Sequence, residues 1–128
     1  MSLIKKFILK TWALVPFKKI VFKCIRSIWV PPKSINQYLY FNDRFKVNID
    51  TNNHFRLQNY GRGFTNEASL FWFGFGGGWE KTSRSLWLEL CKCSEVIIDI
   101  GANTGVYSVI AKTVNNKAKV YAYEPVKR

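Results

Sequence analysis

Val96-Ile97-Ile98-Asp99-Ile100-Gly101-Ala102-Asn103-Thr104-Gly105-Val106-Tyr107-Ser108 is the stretch on which the fold turns. Its first five residues are apolar apart from one acid, the pattern of a buried parallel strand with Asp99 near its carboxyl end. Gly101 to Gly105 then reads as a tight turn. Val106, Val109 and Ile110 follow at helical spacing, with Ala111 compatible. Lys119 to Tyr123 alternates as a second strand and ends at Glu124-Pro125. Strand, turn, helix and strand together take about 30 residues, the size of a βαβ crossover.

Each polar group in this unit suits a cationic, sugar-bearing ligand. Ligands of open α/β sheets sit beyond the carboxyl ends of the strands, where Asp99 falls. An acid there pairs with an ammonium group. Gly101 and Gly105 let the backbone approach closely. A helix N-terminus near Thr104 favours a carboxylate. Glu124 follows the turn by about 20 residues, the place of an acid that accepts hydrogen bonds from ribose hydroxyls. S-adenosylmethionine carries all of these groups. A dinucleotide fits less well, because G-x-G-x-x-G fails at Asn103 and Val106, and Asp99 would face a pyrophosphate. A generic α/β loop without ligand is the bland alternative.

The run Asp99-Ile-Gly-Ala-Asn-Thr-Gly-Val-Tyr-Ser108, with Tyr123-Glu124-Pro125 after it, resembles the FkbM family of S-adenosylmethionine-dependent methyltransferases. The resemblance is clear over residues 95 to 125 and suggestive from about Gly78. It implies a Rossmann-like methyltransferase domain. It also implies methyl transfer to a hydroxyl of a sugar, glycan or natural product, with S-adenosylmethionine as cofactor. It carries Asp99, Gly101, Asn103, Gly105 and Glu124 over as cofactor-site residues. Members often have an aromatic-Glu pair before the first strand, which adds Glu80; an ordinary acid at a helix start is the alternative for that residue. Tyr107 and Ser108 match the motif, as site residues or as helix packing. The resemblance further implies strands and helices beyond Arg128. The chain is therefore expected to be an N-terminal fragment with an incomplete parallel sheet, inactive alone. No catalytic base can be named.

Upstream of the motif, Trp79 to Leu90 reads as a helix with Trp79, Ser83, Leu86, Trp87 and Leu90 on one face. Gly76-Gly77-Gly78 before it is either a flexible loop or a close approach to the cofactor. Leu70 to Phe75 is an apolar run that should be buried. Phe45 to Ile49 and His54 to Gln58 read as short strands joined by a hairpin loop at Asp50 to Asn53.

The N-terminal segment is basic and amphipathic. Leu3, Ile4, Phe7, Ile8, Trp12 and Val15 share one helical face. After Pro16 the pattern resumes with Phe17, Ile20, Val21, Cys24, Ile25, Ile28 and Trp29, and Pro31-Pro32 ends it. Its longest uncharged stretch, Thr11 to Phe17, has seven residues, whereas a bilayer span needs about 20. Recurring charges also argue against a signal peptide. A helix on an anionic membrane and a helix packed on its own domain both remain open. Three units follow: a helical extension over 1–32, a hairpin and linker region over 33–77, and the start of a cofactor-binding domain over 78–128.

The chain of 128 residues is 48% hydrophobic, enough for a packed core. Its net charge of +12 is uneven. Residues 1 to 42 hold eight of the 20 basic residues and none of the eight acids. A nucleic-acid enzyme would spread basic surface around its site, so nucleic acid is the disfavoured partner, with RNA methylation as the remaining alternative. Cys24, Cys91 and Cys93 form no paired or zinc motif and His54 is the lone histidine, so free thiols, no metal and a cytoplasmic setting are expected. Peripheral contact on the inner membrane face stays open with the amphipathic segment.

Overall fold

Polar and apolar residues alternate through the first two strands, and that alternation sets which side faces the core. A computed structural model describes residues 17–36, 38–60 and 66–126. Strand β1 (Asn42–Asn48) pairs antiparallel with β2 (His54–Tyr60), with Phe45 opposite Leu57 and Val47 opposite Phe55. All four side chains are buried. The Asp50 carboxylate accepts the N–H groups of Asn52 and Asn53 at 2.8 and 2.7 Å and so closes the hairpin loop. The Asn53 side-chain amide also donates to it, and together these bonds hold the Asp50 carboxyl below its ordinary pKa.

The hairpin packs on helix α3 (Asn66–Phe73), in which six successive residues from Glu67 to Trp72 are buried. A helix apolar on all sides belongs at the centre of a core. The run expected to be buried from Leu70 is indeed inside, and its helix begins upstream at Asn66. Phe71 meets Phe41 at 4.7 Å, Phe45 at 5.4 Å and Trp72 at 5.2 Å, all edge to face. Such geometry adds about 0.5–1.5 kcal/mol per pair beyond area burial.

Helix α1 (Lys18–Ile28) docks on this cluster by a different side from the one its apolar spacing suggests. Phe22 is its buried residue, 5.6 Å from the Trp72 ring, with Val21 and Ile25 alongside. The expected face is mostly in solvent: Phe17, Ile20 and Ile28 are 76%, 60% and 88% exposed. Basic residues on the other helical face take part in docking. Arg26 stacks over Phe71, Lys18 lies over Tyr40, and Lys19 pairs with Asp43 at 2.7 Å. The physical reason is that the slot is aromatic. It accepts the Phe22 ring and the cations that stack on aromatic faces. The apolar pattern over Leu3 to Val15 lies outside the described residues. A single turn, α2 (Lys33–Asn36), follows.

Helix α4 (Lys81–Lys92) leads into β3 (Val96–Ile100), then α5 (Val106–Val114) and β4 (Lys119–Tyr123). β3 and β4 pair in parallel, with Asp99 beside Ala122 and Ile100 beside Tyr123. The architecture is thus mixed α/β, with one antiparallel and one parallel two-stranded sheet. β3 is buried on one face only: Ile97 and Asp99 point inward, while Val96, Ile98 and Ile100 are exposed. The expected apolar face of α4 is also largely exposed at Trp79, Leu86 and Leu90, and the helix buries Arg84 and Cys91. Val106 and Ile110 of α5 join Phe22, the hairpin and α3 in one core cluster.

Phe22 is the anchor of α1, so Phe22→Ala should cost about 3–5 kcal/mol in a urea titration. Ile28→Ala should change stability by no more than about 0.5 kcal/mol. Comparable losses in the two variants would show that the helix docks by the other face.

Candidate functional site

The turn after β3 is built by backbone conformation. Gly101, Asn103 and Gly105 all take left-handed φ values of 77°, 53° and 77°. Glycine adopts these freely, and Asn is the side chain that tolerates them best. No atom lies within 4 Å of where a Cβ would stand on Gly101 or Gly105, so both glycines border open space. The amides of Gly101 and Ala102 donate to the Tyr123 carbonyl at 2.8 and 3.0 Å. This lays the turn across the end of β4. Gly105 caps α5, whose first amides have no partners within the helix.

Three of the eight acids gather around this turn, in a chain that is strongly basic overall. Asp99 is buried on the inner face of β3 and accepts the Ser108 hydroxyl at 2.6 Å. Glu124 accepts the Asn103 N–H at 2.7 Å and the Val126 N–H at 2.9 Å. Glu80, at the head of α4, accepts the Tyr107 hydroxyl at 2.8 Å. The Trp87 indole donates to the Tyr107 carbonyl at 2.9 Å, and the two rings meet edge to face. Burial, reinforced by the bond to Glu80, pushes the Tyr107 phenol up to about 12.

An open cleft of about 530 Å3 brings several of these groups together, among them Glu80, Trp87, Asp99, Gly101 and Tyr107. The volume suits a small-molecule ligand. Of the residues singled out from sequence, Glu80, Asp99 and Gly101 line this cleft. Asn103 and Glu124 are joined to each other at the adjoining turn, and Gly105 starts α5. Tyr107 and Ser108 prove to be more than helix packing, since each fixes one of the acids. Their position directly after the glycine turn, within the motif, was the available signal. His54 sits exposed on β2.

The triple glycine resolves toward packing. Gly78 has φ +74°, and a Cβ there would collide with the Ser69 hydroxyl; one on Gly77 would lie 2.8 Å from the Phe73 carbonyl. These glycines let the loop press against α3.

No family model, curated protein or solved structure matches the chain. Among the described residues there is no metal-binding cluster of His, Cys, Asp and Glu.

The raised Tyr107 pKa gives a pH signature. Folding favours the protonated phenol, so its stabilisation is complete below pH 10 and is lost as pH rises toward about 12. Stability measured from pH 9 to 12 should decline less steeply in Tyr107→Phe, and that variant should lose the phenolate absorbance that appears near pH 12. Identical profiles for variant and parent would remove the coupling between Tyr107 and Glu80.

Proposed function

We propose that the chain is the cofactor-binding part of an S-adenosylmethionine-dependent methyltransferase with a Rossmann-like fold, similar to the FkbM family. One observation carries the reading: a left-handed glycine turn leads from β3 into α5 beside the carboxyl ends of two parallel strands, where Asp99 and Glu124 lie. The fit to the cofactor rests on two features. The space in front of Gly101 and Gly105 is open, and the charged side chains that line the cleft are the acids Glu80 and Asp99. Carboxylates favour an ammonium or sulfonium group and repel a pyrophosphate.

Asp99, held by the Ser108 hydroxyl, would pair with the ammonium end of the cofactor. The amides at the start of α5 would take its carboxylate. Glu124, fixed by the Asn103 amide, would accept the ribose hydroxyls. Glu80 and Tyr107 would form the wall on the side of α4. S-adenosylmethionine supplies an electrophilic methyl group when bound. The protein's task is then to hold an acceptor hydroxyl in line, about 3 Å from that carbon. Tyr107 keeps its proton at neutral pH, so it positions Glu80 and does not serve as a general base. A hydroxyl of a sugar, glycan or natural product is the acceptor class that goes with the resemblance.

Calorimetric titration of the folded chain with S-adenosylmethionine tests the assignment. Asp99→Ala and Glu124→Ala should each weaken binding by about 1–3 kcal/mol, the range for lost charge-assisted bonds. Lys117→Ala, away from the turn, should leave it unchanged. The assignment fails if neither acid matters, or if the folded chain takes up no cofactor at millimolar concentration.

A further inference from the structure

Helix α1 is held so that its apolar stripe points outward. Phe22, Arg26, Lys18 and Lys19 fix the docked side through the Trp72, Phe71 and Tyr40 rings and through Asp43. The opposite side carries Phe17, Ile20, Cys24 and Ile28 at steps of three and four, all exposed. Trp29, also exposed, ends the ridge, and exposed Lys23 flanks it. An apolar ridge that the fold itself turns away from the core marks an interaction surface.

We infer that this ridge seats α1 on an anionic lipid bilayer, parallel to its surface. Charge selects the occupant. No acid precedes Asp43, and Asp43 is itself paired with Lys19. Exposed Lys23 beside the apolar stripe, in a segment with no acid, and Trp29 at the stripe's end match a helix buried to headgroup depth. A second copy fits less well, because facing ridges would bring together two segments carrying eight positive charges each. Nucleic acid would need the basic residues on the presented face, and that face is apolar. Among the described residues no helix is long and apolar enough to cross a membrane. The bilayer contact is independent of the methyltransferase reading.

Cosedimentation of the full chain with phosphatidylcholine vesicles, with and without about 30% phosphatidylserine, tests the inference. The chain should bind the anionic vesicles and lose binding as salt rises to about 0.5 M. The double variant Ile20→Ser/Ile28→Ser, at exposed positions, should keep its fold by circular dichroism and bind at least about tenfold more weakly. Failure to bind anionic vesicles overturns the inference. So does equal binding by the double variant, which would assign the contact to charge elsewhere. A dimer in sedimentation velocity that the double variant abolishes, without vesicle binding, would make the occupant a second copy.

Discussion

A buried guanidinium ties the turn after the core helix to the head of α4 and the cleft. Arg84 donates to the carbonyls of Phe75 at 3.0 Å, of Gly77 at 2.5 Å and of Trp79, and it lies over the Phe75 ring. Burial lowers its pKa, the direction expected when a cation loses water. Among the described residues no carboxylate forms an ion pair with it, so the carbonyls, with the nearby charge of Glu80, offset the desolvation cost. A planar, five-donor group is well suited to reach several carbonyls of one turn at once. The turn so held places Glu80 at the head of α4, in reach of Tyr107. It also presses Gly77 and Gly78 against Phe73 and Ser69 of the core helix. Glu80 therefore owes its place in the cleft to the same turn that closes the core.

The second link is α5. Its inner face gives Val106 and Ile110 to the aromatic core, while Tyr107 and Ser108, one step round the helix, hold Glu80 and Asp99. Packing on one side thus orients hydrogen bonds on the other. An acid on a buried strand face needs a donor, and the Ser108 hydroxyl is the donor Asp99 has. These bonds pre-set both carboxylates before any ligand arrives, which lowers the ordering cost of binding.

The strands and turns were legible in the sequence because their signals are local. Alternation in Phe45 to Val47 and Phe55 to Leu57, Asp50 in the hairpin loop, and the glycines at 101 and 105 each dictate conformation within a few residues. The parallel pairing of β3 and β4 was readable for the same reason. Helix faces were less legible, because a three-four spacing of apolar residues does not say where the core lies. Phe22 won the aromatic slot over the longer stripe of Phe17, Ile20 and Ile28. Arg84 entered the interior of α4 because a glycine-rich turn offered it carbonyls, a tertiary fact that hydrophobicity does not encode. Tyr107 and Ser108 lay inside the motif, yet their partners Glu80 and Asp99 are fixed only once α4 and β3 are packed against α5.

Charge is segregated along the chain, and the core converts that into geometry. The first 42 residues are basic without exception among charged groups, whereas Glu80, Asp99 and Glu124 converge on one turn. At physiological salt the Debye length is about 8 Å, so each field acts close to its own surface. Phe22, Phe71, Val106 and Ile110 belong to one packed cluster, and close-packed cores transmit orientation with little slack. A helix α1 lying on a surface would therefore fix the direction in which the acidic turn faces. Such a contact would govern whether the cleft opens to the bulk or along the lipid layer.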